Sequence, residues 1–117
     1  MSEDEKSVLV DELLELMKNS KLNKNQKISI MQIVDEQERA TENQRERFCL
    51  YYGLNVNDRK NMGFKQIAEL YGCSYNAIRN SISSMRRKII NYSSNEEFLK
   101  IKEIVDDCKE GMENIEK

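Results

Sequence analysis

Residues 63–88 read GFKQIAELYGCSYNAIRNSISSMRRK, and the fold turns on how that stretch is divided. Phe64, Ile67, Ala68 and Tyr71 recur at helical spacing, and the helix they form starts at Asn61 or Gly63. Gly72-Cys73-Ser74 breaks the pattern. Glycine tolerates the left-handed backbone that ends a helix, and a serine hydroxyl accepts from the free amides that begin the next one. Two helices joined by so short a turn are expected to cross steeply and share a core, a helix-turn-helix arrangement.

The second helix is two-sided. Ile78, Ile82, Met85 and Ile89 follow steps of four, three and four, so they form one apolar stripe for the core. Asn76, Arg79, Asn80, Ser83 and Arg87 fall on the other side, all of them polar hydrogen-bond donors. From Cys73 to Tyr92 there is no Asp or Glu against four Arg or Lys. A helix lying in the major groove keeps carboxylates away from phosphates, offers Arg and Asn to base edges, and grips the backbone at its ends.

The rest of the chain sharpens that contrast. The formal net charge is −2, yet residues 1–40 carry 6 basic and 9 acidic side chains, residues 41–92 carry 9 and 4, and residues 93–117 carry 4 and 8. A basic middle between acidic flanks is the footprint of a nucleic-acid-binding segment, although a solvated basic face gives the same count. The expected organisation is therefore an N-terminal helical segment (1–40), a DNA-binding module (41–92) and a C-terminal amphipathic helix (93–117).

With no proline, 4 glycines and abundant Glu, Lys, Leu, Ile and Met, the 117 residues point to an all-α fold around one small core. Residues 7–18, SVLVDELLELMK, set Leu9, Leu13 and Leu16 beside Val10, Leu14 and Met17 on one face. Asn23 or Asn25 caps a second helix carrying Ile28, Ile30, Met31, Ile33 and Val34. Thr41 and Gln44 have capping-box spacing before a helix whose apolar side is Phe48, Tyr51, Tyr52 and Leu54. Gly53 ends it, and NVNDRKN follows as a polar loop. Near the C-terminus Phe98, Ile101, Val105, Cys108, Met112 and Ile115 make a short heptad seam. That seam either pairs two chains or packs back onto the N-terminal helices, which can themselves complete the core, dimerise or hold a partner.

Several functions are disfavoured. No apolar run approaches a bilayer span, and the acidic start MSEDEK is unlike a signal peptide, so a cytoplasmic protein without membrane attachment is expected. Cys49, Cys73 and Cys108 are odd in number and widely spaced, and the chain has no histidine, which supports neither a disulfide frame nor a metal site. Lack of histidine removes the commonest general base, and no phosphate loop or nucleophile elbow is present. Neither an enzyme nor a cofactor is expected.

The segment from TENQRERFCLYYGLN at Thr41 through GFKQIAELYGCSYNAIRNSISSMRRKI, ending at Ile89, resembles region four of bacterial RNA polymerase sigma factors. It shares the threonine-led helix ending in Tyr-Gly-Leu, the Ile-Ala pair, Gly-X-Ser, Ile-Arg and a terminal basic cluster. The resemblance implies a recognition helix that reads double-stranded DNA, and contact with the flap of the polymerase β subunit. Carried over by position, it implies that Ser74, Tyr75, Asn76, Arg79 and Asn80 approach bases or phosphates, with Arg86, Arg87 and Lys88 near the backbone. Lys65 and Ser83 complete the candidate DNA-binding set. Gly63 stands where the family has a capping threonine, and Tyr75, Ala77 and Ser81 stand where it often has charged residues.

Residues 1–40 contain no Phe, Tyr or Trp and do not resemble the promoter-melting region, whose grip on unpaired bases relies on aromatic stacking. The expectation is a stand-alone transcription regulator acting with polymerase or as a homodimer through its N- or C-terminal helices. The alternative is a protein or ribonucleoprotein adaptor, because the chain is also loosely similar to signal-recognition-particle-associated proteins with a sigma-like helix-turn-helix.

Overall fold

All but one of the helices of the computed structural model begin where a polar side chain takes up a loose amide. The structure describes residues 1–54 and 61–116, with side chains to residue 111; most of the NVNDRKN loop lies outside the described residues, and so do the side chains of Met112 and Ile115 of the seam. Six helices are formed among these: α1 (Glu3–Lys18), α2 (Lys24–Asp35), α3 (Glu42–Tyr52), α4 (Phe64–Tyr71), α5 (Tyr75–Tyr92) and α6 (Asn95–Glu116). The fold is all-α.

Asn23 starts α2 and Thr41 starts α3, each in a reciprocal capping box, with Gln26 and Gln44 reaching back. Gly63 is the residue before α4; having no side chain it cannot cap, and only the Gln66 side chain closes the loop, accepting from the Gly63 amide at 3.1 Å. Gly53 and Gly72 end α3 and α4 in the left-handed region, at φ 65° and 63°.

One continuous core joins all six helices, and Val10, Val34, Phe48, Leu54, Ile67, Ile78, Met85, Ile101 and Val105 are sealed within it. The expected stripe of α5, Ile78, Ile82, Met85 and Ile89, is buried along its whole length. At about 1.5–3 kcal/mol for each large apolar side chain removed from water, that stripe anchors α5. α5 packs against α3, α4 and α1, while α6 lies on α1 and α2.

Of the two courses open to the C-terminal seam, packing back is the one taken. Phe98, Ile101 and Val105, joined by Ile104, are buried within their own chain. α1 thereby belongs to both halves, touching α5 on one side and α6 on the other. No helix among the described residues is long and apolar enough to cross a membrane.

Candidate nucleic-acid interface

The α4–α5 connection is built from local chemistry. The Cys73 amide donates to the Ala68 carbonyl at 3.0 Å across Gly72, and the Ser74 hydroxyl accepts from the Ala77 amide at 3.1 Å. Ser74 is thus committed to its helix as the N-cap, while remaining exposed.

An aromatic chain sets the direction in which α5 leaves the turn. Tyr51 stacks on Phe64 at 4.4 Å with planes 6° apart, and Phe64 meets the edge of Tyr75 at 5.2 Å. Tyr52 extends the chain back to Phe48 at 4.7 Å, and the Lys18 ammonium of α1 sits 3.7 Å over the Tyr51 ring. Offset and edge contacts of this kind add about 0.5–1.5 kcal/mol each beyond buried area. Tyr75, half exposed, is therefore a brace for the first turn of α5 as well as a surface residue.

Around its axis α5 divides into sectors. Asn76, Arg79, Asn80, Ser83 and Arg87 are all exposed and share one face. Arg79 and Arg87 have no ion pair among the described residues. From Asn76 to Arg87 this face runs for about 16 Å at 1.5 Å per residue. Lys65 is exposed on α4.

A second sector faces α3. Arg47 Nη1 donates to the Ser81 hydroxyl at 2.8 Å, the Gln44 side-chain amide donates to Ser84 at 3.4 Å, and Lys88 Nζ donates to Gln44 Oε1 at 2.7 Å. The Arg47 guanidinium also lies over the Tyr71 ring, 4.9 Å from its centroid. Burial, aided by the Glu46 carboxylate beside it, raises the Tyr71 phenol above its ordinary pKa.

The expected backbone-holding trio is consequently divided. Arg87 alone belongs to the outward face. Lys88 is half-buried against α3, one turn below Ser84. Arg86 is turned toward α1, where Nε and Nη2 grip both carboxylate oxygens of Asp11 at 2.7 and 2.9 Å and Nη2 reaches Ser7 at 3.4 Å. The hydrogen bond to Asp11 raises the Arg86 pKa, against a smaller opposing effect of burial. Neighbours in sequence lie about 100° apart on a helix, so three consecutive bases cannot share one face.

Asp11, Gln44 and Arg47 are the residues of this region that sequence reading missed. Gln44 was visible as a cap but not as a link to α5. Asp11 carried no signal at all, since 75 residues separate it from Arg86.

The chain matches no protein-family model, no curated protein and no solved structure.

Proposed function

We propose that the chain is a sequence-specific DNA-binding regulator, using α4 and α5 as a helix-turn-helix with the outward face of α5 in the major groove. The observation that carries this reading is the phase and composition of that face. Five donors, Asn76, Arg79, Asn80, Ser83 and Arg87, are exposed in one line on a helix free of carboxylates, whose opposite side is buried. A face of about 16 Å matches about five base-pair steps at 3.4 Å each. Bidentate Arg-to-guanine and Asn-to-adenine pairs are each worth about 1–3 kcal/mol of discrimination. In this reading Arg79 and Asn76 read bases, and Arg87 and Lys65 hold phosphates. One module of this size binds weakly alone, and tethering to RNA polymerase supplies the effective concentration it needs.

The test is selection of the full chain on a randomised duplex pool, with and without core RNA polymerase. A motif enriched by the wild type and lost with Arg79→Ala, at unchanged helicity, is the expected result. Enrichment that requires the polymerase assigns the tethered mode. Equal footprints for wild type and Arg79→Ala, or no enrichment in either arm, overturn the reading.

A further inference from the structure

Where α1 lies along α6, their contact does not close. A groove of about 400 Å³ opens there over Val8, Leu9 and Val105. Val8, apolar but off the core stripe of α1, is 57% exposed, and its helical neighbours at i+3, i+4 and i+7 are Asp11, Glu12 and Glu15. Further along the same seam a second hollow, of about 250 Å³, opens beside Leu16, and Glu12 borders both. Leu9 and Leu16 are seven residues apart, about 10.5 Å along α1. Two hollows at that separation accept the i and i+7 anchors of a helix laid in the groove.

The rim is acidic. Asp4, Glu5, Glu12, Glu15 and Asp106 border the two hollows. Three lysines also border them: Lys102 is engaged with Asp106 at 3.1 Å and Lys109 with Glu12 at 2.7 Å, so Lys21, at the second hollow, is the one lysine of the rim with no ion pair among the described residues, against three such carboxylates. Asp4, Glu5 and Glu15 have no ion pair among the described residues. Phosphate-bearing surfaces are repelled by such a rim. A second copy docking by two-fold symmetry would set these carboxylates against each other, and like charges across an interface cost several kcal/mol.

We propose that the α1–α6 groove is a docking site for a basic amphipathic helix of another protein, with apolar anchors at i, i+3 or i+4, and i+7 and Lys or Arg along its flanks. Apolar anchors fill the hollows, and the flanking cations meet Asp4, Glu5 and Glu15. The site is separate from the outward face of α5 and does not rest on the DNA-binding reading.

Fluorescence anisotropy of three labelled helical peptides against the full chain tests it. One carries Leu at the anchor positions with Lys elsewhere, the second replaces Lys by Glu, and the third scrambles the Leu positions among the lysines. The first is expected to bind at least about tenfold more tightly than the other two. Val8→Gln, at an exposed position, should weaken it about tenfold with circular dichroism unchanged, and the paired change Asp4→Asn and Glu5→Gln should flatten its salt dependence. Arg79→Ala should leave it unaltered, so failure here is distinct from failure of DNA binding. Equal binding of the scrambled peptide, indifference to Val8→Gln, or a homodimer in sedimentation that Val8→Gln dissociates would each overturn the proposal.

Discussion

At the scale of single residues, Arg86 and Arg87 show how much one step along a helix changes. Arg87 is exposed and on the outward face, whereas Arg86 is held bidentately by Asp11 of α1. A cation already satisfied by a carboxylate has less to offer a phosphate, because the existing pair must first be broken. Arg87→Ala should therefore weaken DNA binding about equally on all sequences and reduce the slope of log K against log salt by about 1. Arg86→Ala should leave that slope unchanged and lower stability instead. Duplex titrations across a salt series, with urea denaturation alongside, measure both. Equal slope changes for the two variants would contradict the division of the basic cluster.

At the scale of elements, the end of α3 depends on a small clasp. Gly53 holds φ at 65°, and a Cβ placed there would collide with the Asn61 side chain. Asn61 cannot easily withdraw, since its amide donates to the Met17 and Lys18 carbonyls at 3.2 Å and so closes the C-terminus of α1. Gly53→Ala therefore meets both the left-handed penalty of about 1–2 kcal/mol and the loss of the clasp. A fall in stability of at least about 2 kcal/mol is expected from chemical denaturation, and a loss near zero would refute the account. The position of Gly53 after Tyr-Tyr made the helix end legible in the sequence. Its link to α1 was not, because Asn61 closes a helix more than forty residues away.

At the scale of the whole molecule, the continuous core runs through all three expected segments, so the chain is expected to unfold as one cooperative unit. Val10, Leu13, Leu14 and Met17 of α1 belong to the same buried cluster as Ile82 and Met85 of α5, and Ile101 and Val105 of α6 join it. The isolated fragment 41–92 loses the α1 cover of α5 and should show no sharp thermal transition by circular dichroism, whereas the full chain should melt in one step. A cooperative melt of the fragment would contradict this and show that residues 41–92 fold on their own. Stability should also fall in alkali. Burial, helped by Asp35 and Glu46, pushes the Cys49 thiol from its usual 9.0 up to about 12, and burial with Tyr51 beside it lifts the Tyr52 phenol from 10.0 to about 12. In both cases the folded chain holds the proton more tightly than the unfolded chain. The stabilisation is complete below about pH 9 and is lost progressively as the pH rises toward 12. Urea midpoints should drop between pH 9 and 11, with a shallower drop in Cys49→Ala.

By itself the sequence determined the helices, most of their caps, the buried stripe of α5 and the composition of its outward face. All of these arise from contacts within a few residues, where capping geometry and the 3.6-residue period act directly. Only the tertiary structure decided which cations stay available, where the α6 seam is buried, and that an acidic groove remains open beside Val8. Those outcomes depend on side chains such as Asp11, Gln44 and Val105 meeting partners dozens of residues away, for which no local pattern exists.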